Sequence, residues 1–280
     1  AFTTFLDRKY VDNNINLQLA YLEFEDKNYK AVINHLQGLP PSKINEREAW
    51  MLATAYCNTD QHAKAETHLT FLLSKNPRNL EAIELAASVY EKSNKVTNAI
   101  SMYKKYLALA GNHKEYSFRL AELYEKQGMK KEAAAQYEIN IREFKDDPRS
   151  FQRLGRLYCS MQQWKNAIRV LERALKFSDV PNDLQGLLAR AQINVGDKNA
   201  AVENYRVYLE KAGRDSAAWY ELGNLYFEQK KYAEAAKTLE KASTMMGSNF
   251  DLLKKIGIAY VRASDLSSAV NPLVKALEIN

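Results

Sequence analysis

The sequence predicts an all-α chain, a solenoid of stacked antiparallel helix pairs, on three observations. Alanine recurs every 34 residues: Ala31, Ala65, Ala99, Ala133, Ala167, Ala201, Ala235 and Ala269. Twelve residues ahead of it stands a small residue, Ala53, Ala87, Ala121, Gly155, Ala189, Gly223 and Gly257, with Leu19 the exception. Nine ahead stands Tyr56, Tyr90, Tyr124, Tyr158, Tyr226 and Tyr260, replaced only by Leu22 and Gln192. A fixed period of this length marks stacked supersecondary units rather than one globular core. Four residues past the alanine the side chain is larger (Leu69, Tyr103, Tyr137, Leu171, Tyr205, Leu239, Leu273), with His35 the outlier.

Within each repeat the apolar spacing is helical. In the second, Leu52, Ala53 and Tyr56 are followed after a turn by Ala65, Leu69, Leu72 and Leu73 at i, i+4, i+7 and i+8. Each repeat therefore reads as helix A, a turn and helix B. The small residue of A and the alanine of B are expected where the axes cross closely. Turns fall at Thr59-Asp60, Ser93-Asn94, Gln127-Gly128, Gly196-Asp197 and Ser264-Asp265, where Gly128 and Gly196 suit a left-handed backbone. Pro77, Gly111, Gly213 and Gly247 punctuate the joins, and Pro148 and Pro181 do so slightly later. Pro40-Pro41 ends the first helix B early, and Pro272 inside the last helix B predicts a local kink. The repeats are 12–45, 46–79, 80–113, 114–147, 148–181, 182–215, 216–249 and a truncated 250–280. All belong to one solenoid over 1–280, with 1–11 as the end of a preceding repeat.

This pattern resembles the tetratricopeptide repeat. The best single copy is Ser216 to Gly247, with Trp219, Leu222, Gly223, Tyr226, Tyr232, Ala235 and Ala242 in the family's positions. The resemblance covers essentially the whole chain. It implies a right-handed superhelix of about one turn, helices A on its concave side, and a binding function for other proteins, without naming a partner.

Composition adds limits. Net charge is +6 in 280 residues, too mild by itself to imply nucleic acid. No apolar run is long enough for a membrane span. Cys57 and Cys159 share a frame position three repeats apart and read as free thiols, which leaves cytosol and periplasm open with the cytoplasm favoured. Phe2, Phe5 and Leu6 continue the helix B pattern at one end, and Pro272, Leu273, Ala276 and Leu277 at the other. A fragment of a longer protein is expected; a full mature chain whose last helix pairs with a partner is the rival.

No catalytic, metal or cofactor pattern stands out. His35, His62, His68 and His113 lack ligand spacing, and there is no phosphate loop or serine elbow. By the family geometry, the second, fifth, sixth, ninth, twelfth and thirteenth residues of each repeat face the groove. Those of repeats three and four include Glu81, Glu84, Glu91, Glu115, Glu122 and Glu125. Arg119 is followed by Arg149, Arg153 and Arg156 and then Arg190. This arginine stripe suits an acidic ligand segment through bidentate carboxylate pairing. Inter-repeat ion pairs that absorb the charge are the other reading. Trp50, Phe118 and Tyr220 hold the fifth position, with Asn224 at the ninth and Phe227 at the twelfth. Groove exposure and packing both remain open for Trp50 and Phe118.

The fifth and ninth residues nowhere assemble the lysine and asparagine clamp by which co-chaperones of this family grip a chaperone's C-terminus. The expectation is a non-enzymatic scaffold holding a partner protein or peptide segment, possibly acidic in character, through Trp50, Phe118, Arg119, Arg149, Arg153, Arg156, Arg190, Tyr220 and Asn224. The alternative is self-assembly through the apolar end repeats. RNA binding would need basic residues in every repeat, and the acidic third repeat argues against it.

Overall fold

The computed structural model describes residues 13–39, 44–247 and 249–279, and they contain sixteen α-helices. They divide into two compact units, Ala1–Gln136 and Tyr137–Asn280. The first unit holds the hairpins α1 (Asn13–Glu25) with α2 (Tyr29–Leu36), α3 (Glu46–Asn58) with α4 (His62–Lys75), and α5 (Leu80–Lys92) with α6 (Val96–Ala110). Next comes α7 (Lys114–Lys126), and the division falls inside α8 (Lys130–Glu143). The second unit continues with α9 (Pro148–Ser160) and α10 (Trp164–Ala174), then α11 (Asp183–Val195) and α12 (Lys198–Lys211). It closes with α13 (Ser216–Glu228), α14 (Tyr232–Met246), α15 (Phe250–Arg262) and α16 (Leu266–Ile279). Odd-numbered helices are the A helices and even-numbered ones the B helices.

Local chemistry explains the starts. Asn45, Asn79, Asp147, Asp215 and Asn249 recur at the period or a multiple of it, and each caps the helix after it. A side-chain oxygen taking a free first-turn amide contributes about 1 kcal/mol. Asn45 forms a full capping box, with the Glu48 carboxylate accepting its amide at 3.0 Å. Glu48 is only 1% exposed, and it also accepts the Tyr21 hydroxyl from α1. Before α11 that slot belongs to Pro181; Asn182 makes no cap and donates instead to the Tyr208 carbonyl at 3.1 Å.

Every hairpin turn carries one left-handed residue: Lys27, Asp60, Asn94, Gly128, Gln162, Gly196, Lys230 and Ser264. Gly128 and Gly196 take that conformation as expected, at φ +72° and +88°, while the other six accept it without glycine.

At the helix crossings the side chain that crowds the small A residue is the larger B residue. A Cβ on Gly155, Gly223 or Gly257 would lie 2.4, 2.6 or 2.4 Å from Leu171, Leu239 or Leu273. Glycine thus pairs with leucine, whose branch at Cγ crowds the opposite backbone. Alanine pairs with the flat ring of tyrosine in the clusters holding Ala87 with Tyr103 and Ala189 with Tyr205. Ala53 with Leu69 departs from that rule. The alanines from Ala65 to Ala269 are all buried.

The first repeat runs one residue out of step. α1 ends 33 residues before α3 does, whereas α3, α5, α7 and α9 end 34 apart. Ala31 is accordingly half-buried, while Val32, Leu36 and Ala20 are buried and hold the places read as Ala31, His35 and Leu19. At the sixth tyrosine position, Gln192 is buried and accepts from Asn204 at 2.7 Å, and Asn204 in turn accepts from Gln185. α16 runs through Pro272. Phe2, Phe5, Leu6 and Pro40-Pro41 lie outside the described residues. Cys57 and Cys159 are free thiols. No described helix is long and apolar enough to cross a membrane.

Candidate functional site

The exposed sides of the A helices differ between the two units. In the first, Arg47 lies 4.0 Å over the Tyr21 ring, and Trp50 is half-buried against the core of α3 to α5. Phe118 is only 7% exposed, so it is not an exposed groove aromatic. The neighbouring Ser117 is buried as well, and the Gln136 amide donates to its Oγ at 2.7 Å. Arg119 is held among three carboxylates, at 3.9 Å from Glu91, 3.4 Å from Glu115 and 3.2 Å from Glu122. Glu84 accepts the Tyr116 hydroxyl, and Glu91 accepts Tyr103 at 2.9 Å. Glu81 and Glu84 stay exposed.

In the second unit the predicted arginine stripe splits. Arg149 turns back to its own helix cap, with Nη2 2.9 Å and Nε 3.1 Å from the carboxylate of buried Asp147. Arg156 reaches the next hairpin and forks on Asp183 at 2.8 and 3.1 Å. Arg153 is exposed. Arg190 is exposed too, and it stands beside the Tyr205 phenol. Among the described residues no carboxylate lies within ion-pair distance of Arg190. It edges a hollow of about 140 Å³ with Gly186, Leu187, Tyr205, Tyr208 and Glu221. Gly186 opens that hollow, because a Cβ there would stand 3.2 Å from the Tyr208 ring. Burial and the bond from its hydroxyl to Asp215, at 2.7 Å, push the Tyr208 phenol up to about 12. It therefore stays neutral at any ordinary pH.

Further along, Tyr220 is half-buried against the core of α14 and α15, and Asn224 accepts Lys255 Nζ at 2.6 Å. Phe227 meets Tyr232 edge-on at 5.4 Å. Lys255 and Arg262 each lie 5.4 Å from the Phe227 ring, a cation–π arrangement. Lys254 is exposed and lies 5.4 Å from the Phe250 ring. Sequence reading left Lys255 and Arg262 out of the site, although they hold the sixth and thirteenth positions of the last repeat. The signal was present but lay in the truncated copy. Burial raises the thiols of both Cys57 and Cys159; nearby Arg190 opposes this at Cys159.

A tetratricopeptide-repeat family model matches residues 84–148, and structures of this family superpose on the chain. Residues 84–148 belong to the tetratricopeptide-repeat family, and the described helix pairs share that family's fold. A second model, described as anaphase-promoting complex, cyclosome, subunit 3, matches residues 160–242 of this repeat protein. BBSome complex member BBS4 of Bos taurus is 21% identical over 222 residues, 74% of this chain and 42% of its own length. Tetratricopeptide repeat protein 21B of Mus musculus is 26% identical over 183 residues, 61% of this chain and 14% of its own. The chain thus spans less than half of either curated relative. Among solved structures, YrrB, described as a TPR protein with an unusual peptide-binding site, aligns at TM-score 0.55 and 20% identity. That alignment covers 71% of this chain and 98% of YrrB. A tetratricopeptide repeat protein from Parabacteroides merdae aligns at 0.50 and 18%, covering 84% and 93%. At such identities the likeness is one of fold. Stacked repeats of this family present surface to other proteins, and this chain is a protein-interaction scaffold in that general sense.

Proposed function

We propose that the exposed A-helix side of the second unit holds a carboxylate-bearing segment of a partner protein, and that the chain acts as an adaptor without catalysis. The observation that carries this reading is Arg190, exposed at the edge of a hollow beside the Tyr205 phenol and in no ion pair with an acid among the described residues. Its fork is open to a ligand carboxylate, for which a bidentate pair is the strong geometry. Arg153 precedes it, Arg262 follows beside Phe227, and Lys254 lies beside Phe250. Cationic and aromatic groups are thus interleaved along one side, the composition that dominates binding hot spots. Arg149 and Arg156 belong to this site as structural supports, since each is already forked on an aspartate. Asn224 contributes a hydrogen bond from Lys255, whereas Trp50 and Arg119 lie in the first unit, outside this site. The peptide-binding site named for YrrB makes such use of the fold plausible on chemical grounds, though its residues are its own.

The test is fluorescence anisotropy with a fluorescein-labelled peptide of alternating Glu and Leu. Arg190→Glu is expected to weaken binding roughly tenfold or more, as is Arg153→Glu, with circular dichroism unchanged. Arg119→Glu, on the acidic first unit, is expected to change binding little. Equal affinity of wild type and Arg190→Glu would remove the site.

A further inference from the structure

The hollow beside Arg190 is lined by charges of both signs, and they are not equally engaged. Asp183 is held by the Arg156 fork at 2.8 Å. Asp215 caps α13 through the Ala218 amide at 3.0 Å and accepts the Tyr208 hydroxyl at 2.7 Å. Arg190 on α11 and Glu221 on α13 are both exposed, and among the described residues neither makes an ion pair, with the other or with a third group. Two opposite charges thus share one small hollow and stay apart.

The sequence keeps that hollow open. Repeats two to five, seven and eight carry Trp50, Glu84, Phe118, Gln152, Tyr220 and Lys254 at the fifth position, where the sixth repeat has Gly186. A glycine inside a helix costs about 1 kcal/mol against alanine. Its missing side chain leaves the space in front of the Tyr208 ring, which a Cβ would approach to 3.2 Å. Tyr205 feels both free charges: burial raises its phenol, Glu221 adds to the rise and Arg190 opposes it. Tyr205, Tyr208 and Leu187 give the lining an apolar part, which suits the methylenes of a long side chain. Glu221 also interrupts a cationic row. The sixth positions of repeats five, seven and eight are Arg153, Glu221 and Lys255. A ligand made only of acids meets repulsion at Glu221, whereas one with a base beside its acid finds a complement to each.

We infer that the hollow reads a pair of opposite charges, with a carboxylate of the partner segment on Arg190 and a lysine ammonium on Glu221. This rests on the carboxylate reading of Arg190 proposed above, and it narrows the partner from an acidic segment to one of mixed charge. Glu221 is then a specificity residue, since it favours such a segment and disfavours a purely acidic one.

The experiment is fluorescence anisotropy with two fluorescein-labelled peptides, one of alternating Glu and Leu and one with its central Glu replaced by Lys. Glu221→Gln is expected to weaken the lysine-bearing peptide and strengthen the acid-only one. The ratio of the two affinities should move about fivefold or more towards the acid-only peptide. Glu221 is exposed, so circular dichroism should be unchanged. Glu210→Gln removes an exposed acid of α12 that does not line the hollow, and should leave the ratio in place. A smaller movement with Glu221→Gln, or an equal one with Glu210→Gln, overturns the inference, because Glu221 would then act through bulk charge or not at all. If Arg190→Glu still weakens both peptides in that case, the earlier reading survives and only the charge pair is lost. If Arg190→Glu binds both as tightly as wild type, or wild type binds neither, both are lost.

Discussion

The two units share one frame and use charge in opposite ways. In Ala1–Gln136 the single arginine of the predicted site is surrounded by Glu91, Glu115 and Glu122, and the A-helix side remains acidic around it. In Tyr137–Asn280 two arginines are tied to aspartates, while Arg190 and Arg262 rest on phenols and rings. The crossings differ as well. The first unit closes its hairpins with Ala53 and Ala87, and the second uses Gly155, Gly223 and Gly257 as well as Ala189. Packing sets where a side chain stands in a repeat, whereas the neighbours it meets there decide whether its charge is available.

The largest effect is expected at the crossings. Gly257→Ala should lose about 1–3 kcal/mol through overpacking against Leu273, although alanine favours a helix by about 1 kcal/mol. Ala87→Gly in the first unit should lose only that smaller amount. Urea denaturation of the two variants measures the contrast, and a neutral Gly257→Ala would show the crossing to be loose.

The caps give the next contrast. Asp147→Ala removes a helix cap and the anchor of Arg149, and should lose about 1–2 kcal/mol. In the first unit the same slot before α7 is held by His113, whose Nδ1 accepts the Tyr116 amide only at 3.4 Å. His113→Asn should therefore gain about 0.5–1 kcal/mol, read as a rise in the thermal midpoint.

How much of this was legible in the sequence depends on which neighbour decides each residue. Turn positions could be read from Gly128 and Gly196 because a left-handed backbone is a local requirement. The caps Asn45, Asn79, Asp147, Asp215 and Asn249 recur at the period or a multiple of it too, yet they went unread. The slip in the first repeat was announced by Leu19, Leu22 and His35, three misfits in a single copy, yet counting from Ala31 hid it. Side-chain direction was not legible. Arg149 and Arg156 hold groove positions by number, but the first turns back to Asp147 and the second forward to Asp183. Phe118 holds the same position as Tyr220, yet the first is buried and the second only half-covered. A periodic frame specifies backbone positions; rotamers answer to contacts that it does not list.

The smallest contrast is at the two thiols, one in each unit at the same frame place. Burial raises both, so little thiolate is present near neutral pH and reaction with a disulfide reagent should accelerate only above the ordinary thiol range of about 8.5. Cys159, half-buried, should react before the buried Cys57. Arg190→Gln removes the cation that eases Cys159 ionisation. It should slow Cys159 at a given pH and leave Cys57 unchanged. Reagent kinetics across alkaline pH would show this, and an unaltered Cys159 rate would separate it from Arg190.

The missing residue in the first repeat matters to anyone who would rebuild this protein. An averaged template drawn up by counting back from Ala65 would write histidine where Leu36 fills the interior, and a bulky leucine over the slot of Ala20. Transplanting the leading hairpin onto a later one has to be cut at helix caps such as Asn45, because the join, and not the arithmetic, carries the phase.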